Sequence, residues 1–344
     1  MNFLIYGSGA IGSYIGGTLA LAGQTVTFLD RPAPAEILRA RGITLQQDGG
    51  SRTARDLHLI TSAAEALAQR DLDCMIVAVK SFDTDGVISD IRAAGLTPPP
   101  IFCLQNGVDN EPKLREAFGA DRVVAGTVLT AIGIRGPGDI VIERNRGLGL
   151  WGGHPLSERL ASVFQSAGVR MQLYSNADAM KWSKLITNLM ANATAAICDI
   201  GAEAVYAHPG LYEIEVRMIR EALQVMDAKR LPVVALPRTP TRELNFALRW
   251  LPSRLYQPII QRMVARGRGD KKPSFHQDLS AGKPRTEVNY LNGAVARHAE
   301  ALGLHAPVNR ALTEILEGVV AGKIAWDEYR GKPERLAVEV LERR

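Results

Sequence analysis

Cysteine is scarce: three residues in 344. Cys74, Cys103 and Cys198 lie far apart and none belongs to a CxxC pair, so the sequence encodes neither a disulfide framework nor a thiolate metal centre. Two of the three sit in apolar, strand-like runs, the pattern of buried free thiols in a reducing compartment. Histidine is also sparse, at six. His154, His208, His298 and His305 have no metal-ligand spacing, and no metal is expected. No run of about 18 apolar residues occurs, which excludes a spanning helix. The opening segment MNFLIYGSGAIG lacks the basic region and long apolar stretch of a secretory signal, so the expectation is a soluble, cytoplasmic protein. Charge of one sign does not dominate: 41 basic residues face 36 acidic ones, a net +5. Without a compact basic run this excludes a nucleic-acid surface and leaves a mild preference for small anionic ligands. Internal repeats and low-complexity tracts are absent.

What is present is enough apolar material for two cores, with 46% hydrophobic residues. Asn2 to Tyr6 is a short apolar run that stops at Gly7. A helix-like segment rich in Ala, Leu and Gly follows, then a second run from Thr25 to Leu29. Strand, glycine turn, helix, strand is a βαβ unit. Further runs at Cys74 to Val79, Ile101 to Leu104, Val123 to Val128 and Ile140 to Glu143 predict a mostly parallel sheet. After Tyr174 the spacing changes to 3.6 residues, as in Met180 to Cys198 and Tyr212 to Ala228. The expected fold class is therefore α/β: a Rossmann-type parallel-sheet domain over residues 1–176, then an all-helical domain over 177–344. Within the latter, 231–272 reads as an irregular insertion rich in proline and arginine, with Pro232, Pro237, Pro240, Pro252 and Pro258 interrupting any helix.

Gly7-Ser8-Gly9-Ala10-Ile11-Gly12 is a GxGxxG motif in the context it requires, directly after a first strand and opening a helix. Gly7 permits the tight turn, Gly9 lets backbone N–H groups approach a pyrophosphate, and Gly12 allows close packing of the helix. At the end of the second strand Asp30 suits a ribose 2′-hydroxyl, as in NAD, whereas Arg31 suits a 2′-phosphate, as in NADP. The bidentate reach of a guanidinium favours NADP, with NAD as the lesser alternative. Lys80 follows another strand and is by itself an ordinary loop lysine. Asn106, in Gln105-Asn106-Gly107, is either a turn residue or a ligand to nicotinamide and substrate beyond the end of its strand.

Lys184, Asn188 and Asn192 recur at i, i+4 and i+8, which predicts one polar stripe on an otherwise apolar helix. Two asparagines inside such a helix cost helix propensity without an evident structural return. Glu287 opens a further apolar helix running to Ala301, where a carboxylate suits the helix dipole and Thr286 resembles a cap. His276 competes poorly for a catalytic role beside a lysine and a glutamate.

Together GSGAIG, VTFLDR, VKSFDT, LQNGV, KLITNLMAN, PSFHQDL followed by GKPRTEVNYLNG, and the late APVNRALTEIL resemble the ketopantoate reductase (2-dehydropantoate 2-reductase) family over nearly the whole chain. The resemblance implies that Lys184 is the general acid that protonates the substrate carbonyl oxygen and that Glu287 bonds the substrate and orients the site. It further implies that Asn188 and Asn192 bond substrate oxygens, that Ser274 holds the carboxylate, that Asn106 bridges cofactor and substrate, and that Arg31 and Lys80 take the 2′-phosphate. The chemistry agrees, because hydride arriving at a carbonyl carbon builds charge on oxygen that an ammonium both stabilises and protonates. The chain departs from the family in Asp30, where a small residue is frequent, in a serine-to-glutamate spacing one residue longer, and in a longer 231–272 region.

The expected activity is NADPH-dependent reduction of 2-dehydropantoate to pantoate. Two alternatives stand beside it: reduction of another branched or aromatic 2-oxo acid, NAD-linked in one version, and a non-catalytic NADP-binding sensor. Retention of Lys184 with Glu287 argues against the sensor. The expected partner is a small 2-oxo acid, with no nucleic acid and no membrane; a homodimer is an option that the resemblance implies.

Overall fold

A computed structural model describes residues 1–251 and 273–343. The chain divides into two compact units, Met1–Lys181 with Leu236–Arg238, and Trp182–Ala235 with Thr239–Arg344. The first carries all of the described strands: β1 (Asn2–Tyr6), β2 (Thr25–Leu29), β3 (Ile43–Gln47), β4 (Gly50–Ala54), β5 (His58–Ile60), β6 (Cys74–Val77), β7 (Ile101–Cys103), β8 (Val123–Val128), β9 (Ala131–Gly136), β10 (Asp139–Arg144), β11 (Leu148–Trp151) and β12 (Met171–Tyr174). They form an eight-stranded sheet in the order β12-β11-β8-β7-β6-β1-β2-β5 and a four-stranded sheet in the order β4-β3-β10-β9.

In the large sheet β5, β2, β1, β6, β7 and β8 run parallel. Their side chains alternate between two cores. Phe3, Ile5, Ile76, Phe102 and Val124 join one, whereas Leu4, Met75, Val77, Ile101 and Val123 join the other. A parallel sheet covered on both faces needs such unbroken apolar strands. From β1 the chain moves first to β2 on one side and later to β6 on the other, so the order reverses beside β1, where open α/β sheets place their ligands.

The run Ile140 to Glu143 lies in the small sheet, not the parallel one. Gly136 and Gly138 turn β9 into β10 as a hairpin, Gly138 at φ +74°, and β10 then runs parallel to β3. A short hairpin loop forces the antiparallel pairing. All three cysteines are free and buried. Burial pushes the Cys74 and Cys198 thiols up to about 12, and Cys103 higher still.

In the second unit the described elements are helices and turns. Among the described residues no helix is long and apolar enough to cross a membrane. The expected helix from Met180 to Cys198 is in fact two, Ala177–Leu189 and Ala193–Cys198, separated at Ala191, whose φ is +46°. The cause lies 24 residues away. Glu215, fully buried in the helix Pro209–Ala228, accepts hydrogen bonds from Ala191 N (2.7 Å), Thr194 Oγ1 (2.7 Å) and Tyr206 Oη (3.0 Å). A buried carboxylate that gathers three donors outweighs the one or two helical hydrogen bonds lost at the break. Of the 231–272 insertion, Thr241–Trp250 is a regular ten-residue helix, and 252–272 lies outside the described residues.

Candidate active site

The glycine turn sits at the carboxyl end of β1. Gly7 has φ +91° and donates to the Leu29 carbonyl at 2.9 Å, which fastens the turn to β2. A Cβ on Gly12 would lie 1.8 Å from the Gly7 carbonyl oxygen, so its small size serves the turn more than the strand. A Cβ on Gly9, by contrast, would meet nothing within 4 Å. The helix Ala10–Leu21 starts there with no side-chain cap and no acidic residue in its first turn. Open space over backbone N–H groups at a helix N-terminus is what a dinucleotide pyrophosphate requires, so these residues fit the cofactor implied by the motif.

Both residues at the end of β2 are accounted for. Asp30 accepts from Ser8 N (2.6 Å) and Ser8 Oγ (2.5 Å) through one oxygen and from Arg31 N (2.7 Å) through the other. It therefore braces the glycine turn, a structural task that a ribose ligand alone would not explain. Arg31 is exposed, and Pro32 at the first position of the helix Pro32–Arg41 sets the direction in which the chain leaves it.

Lys80 and Asn106 follow β6 and β7. The loops that carry them are joined, because the Asn106 carbonyl accepts from Ser81 Oγ (2.9 Å) and Asn110 Nδ2 (2.6 Å), and Gln105 Nε2 donates to Thr84 Oγ1 (2.8 Å). Gly107, at φ +85°, completes the turn. Beneath it lies a buried ion pair that the sequence reading passed over. Lys181 Nζ stands 2.7 Å from Glu111 Oε1 and donates to the Gln105 carbonyl at 2.6 Å and the Gly126 carbonyl at 3.2 Å. The only available signal was a charged residue at each of two otherwise buried positions, and a lysine on an amphipathic helix reads first as solvated.

In the second unit Lys184 and Asn188 are half-buried and share a face of the helix Ala177–Leu189. Asn192 is not a third member of that stripe, because it flanks the next helix instead. Its side chain reaches Asn188, Ser274 and Phe275. Nδ2 donates to the Asn188 carbonyl (3.1 Å) and Ser274 Oγ (3.2 Å), and Oδ1 accepts from Phe275 N (3.0 Å). Asn188, Asn192 and Ser274 are thus joined, with Ser274 exposed at the start of the helix Ser274–Ser280. Glu287 is buried and flanks the helix Val288–Ala301; it, rather than Thr286, holds the N-cap position, and no side chain caps the helix. His276 is fully buried, with Nε2 2.5 Å from Asp199 Oδ1, Nδ1 3.2 Å from Ser280 Oγ, and Arg330 Nε 2.8 Å from the other Asp199 oxygen. That chain of contacts is a brace between three segments. Among the described residues no group of three or more His, Cys, Asp or Glu could hold a metal.

Comparison with known proteins matches both halves of the chain to one family. The family described as ketopantoate reductase PanE/ApbA matches residues 3–150, and its C-terminal family matches 176–320. A 2-dehydropantoate 2-reductase from Pyrococcus horikoshii is 27% identical over 322 residues, covering 92% of this chain and 97% of that one. The crystal structure of a PanE/ApbA family ketopantoate reductase from Ralstonia eutropha superposes with a TM-score of 0.79 at 27% identity, covering 94% of this chain and 99% of that one. D-mandelate dehydrogenase, solved with NADH and anilino(oxo)acetate, shares the fold with a TM-score of 0.77 at 20% identity, over 94% of this chain and 99% of that one. With both halves matched in order and the glycine turn built as a dinucleotide site requires, the chain belongs to the ketopantoate reductase family of nicotinamide-dependent oxidoreductases.

Proposed function

We propose that this protein reduces 2-dehydropantoate to pantoate with NADPH, using residues 1–176 for the cofactor and 177–344 for the substrate and the proton. The observation that carries the reading is that the second unit holds a lysine on one helix, an asparagine–serine pair hydrogen-bonded across two others and a buried glutamate at the start of a fourth. Bound at the glycine turn, the dinucleotide supplies the hydride. Lys184 faces the substrate carbonyl oxygen, stabilises the charge that grows there and transfers its proton to that oxygen. Glu287 bonds the substrate and orients the site. Asn188 and Asn192 bond substrate oxygens, Ser274 holds the carboxylate, and Asn106 serves cofactor and substrate together. Arg31 and Lys80 hold the 2′-phosphate as charge-assisted donors.

Asp30 favours a second reading, in which the same machinery is NAD-linked and acts on another 2-oxo acid, since a carboxylate at the end of β2 suits a ribose hydroxyl. One experiment separates the two: nicotinamide absorbance followed with 2-dehydropantoate, NADPH against NADH, wild type against Lys184→Ala. Rapid NADPH oxidation lost in the variant supports the first reading. Turnover only with NADH or only with other 2-oxo acids supports the second. Dinucleotide binding without turnover of any 2-oxo acid would leave a binding protein and overturn both.

A further inference from the structure

The small sheet of the first unit ends in a basic cavity that no part of the proposed reaction uses. β3 and β10 run parallel, with Asp139 opposite Thr44 and Val141 opposite Gln46, so their carboxyl ends open on the same side. There a cavity of about 420 Å³ is lined by Arg144, Arg146, Arg170 and Arg238, with Asp48 and Glu143 also in its wall. That volume lies within the range of small-molecule sites and exceeds what a single inorganic phosphate fills.

The arginines come from separate segments that the fold holds at one point. Arg144 ends β10 and Arg146 follows it, with its backbone N–H donating to Thr130 Oγ1 at 3.2 Å. Arg170 precedes β12, and its carbonyl accepts from Leu148 N at 2.8 Å. Gly147, at φ +83°, lets that approach occur, because a Cβ there would lie 2.1 Å from the same carbonyl oxygen. Arg238 arrives from Leu236–Arg238, a stretch remote in sequence that belongs to this unit, and it does so at φ +52°. A non-glycine residue in the left-handed region is held there by its surroundings, and such positions gather at functional sites. Asn145 adds a buried Oδ1 that meets no donor among the described residues. In the lining four guanidinium groups stand beside two carboxylates, Arg170 and Arg238 being exposed, and a buried acceptor next to them suits a ligand hydroxyl.

We propose that this cavity binds a small molecule carrying two or more phosphate groups, at a site made of residues outside the catalytic set. Guanidinium forks match phosphate oxygens bidentately, and several of them at one point favour a polyphosphate over a lone carboxylate.

Inorganic pyrophosphate is the probe, titrated calorimetrically into the full chain at low ionic strength with and without saturating NADPH. One binding event is expected to persist with the dinucleotide present. It weakens about tenfold in Arg170→Gln and in Arg238→Gln, the loss of one charge-assisted contact each, and disappears in the double variant. Melting temperatures of the single variants show that each still folds, and the comparison among variants does not depend on dinucleotide binding. Binding that NADPH wholly removes, or that the substitutions leave unchanged, places pyrophosphate at the glycine turn or on the surface and overturns the proposal. Absence of binding overturns it as well.

Discussion

Lys181 and Glu111 meet at 2.7 Å with 4% of each side chain exposed. The ammonium also holds the carbonyl of Gln105, the residue before Asn106. Lys181 therefore anchors the first turns of the helix Ala177–Leu189 to the turn that follows β7 and to the middle of β8. Removing one partner strands a buried charge, at a cost of roughly 3–5 kcal/mol. Lys181→Met or Glu111→Gln should lower stability by that order in chemical denaturation. Lys181→Met combined with Glu111→Leu should recover most of it. Single variants costing less than about 1 kcal/mol would show that the pair anchors nothing.

Gly9 and Gly12 should respond in opposite ways to the same methyl group. Gly12→Ala forces a Cβ into the Gly7 carbonyl, and overpacking of this kind costs about 1–3 kcal/mol or more, visible as a lower melting temperature. Gly9→Ala meets open space and should melt like wild type. Its loss should appear in dinucleotide affinity, measured by fluorescence titration. Equal melting temperatures for the two variants contradict the geometry.

Lys184→Ala should lower kcat by about 10²- to 10⁴-fold, the usual share of a general acid, with a smaller change in KM. The basic limb of the pH–rate profile, which reports the acid that donates the proton, should vanish with it. A variant that retains kcat and the same profile removes Lys184 from the proton transfer.

If Arg31 holds the 2′-phosphate as proposed, Arg31→Ala should raise the KM for NADPH by about tenfold or more and leave NADH nearly unaffected, because only the phosphorylated dinucleotide would lose a charged partner. Asp30→Asn is expected to act differently. Its carboxylate accepts from Ser8 N, Ser8 Oγ and Arg31 N, so substitution should loosen the turn and weaken both dinucleotides. Improved use of NADPH by Asp30→Asn would mean that the carboxylate acts by repelling the phosphate.

Glu221 makes stability depend on pH. Its oxygens accept from Val308 N, Asn309 N and Asn309 Nδ2 at 2.7–2.9 Å, and burial nevertheless holds its carboxyl above the ordinary value of 4.5. A carboxyl raised on folding contributes stability that is complete below its unfolded value and is lost as pH rises through the folded one. The melting-temperature advantage of wild type over Glu221→Gln should therefore shrink as pH rises from about 4.5 and level off above the raised folded value. An advantage that grows over the same range would mean that the three hydrogen bonds outweigh burial.

Much of the fold was legible because its signals are local. β1, β2 and β8 coincide with the apolar runs Asn2 to Tyr6, Thr25 to Leu29 and Val123 to Val128. The glycine turn was readable as well, since a GxGxxG motif carries its steric reason within six residues. β10 was recognisable as a strand but not assignable to a sheet. Its alternation says nothing about whether β3 or β8 lies beside it, and a hairpin at Gly136 and Gly138 settled that.

By itself the sequence located β1, β2, β6, β7, β8 and β10 and a glycine turn that suits a dinucleotide, because periodicity and turn stereochemistry act over a few residues. Tertiary structure alone decided the break at Ala191, where Glu215 from another helix outbids the helical hydrogen bonds. It alone paired Lys181 with Glu111 across 70 residues of sequence, and brought Arg238 to the cavity of Arg144, Arg146 and Arg170. Each of these is a charge whose burial or convergence depends on partners distant along the chain, and local propensity carries no information about such partners.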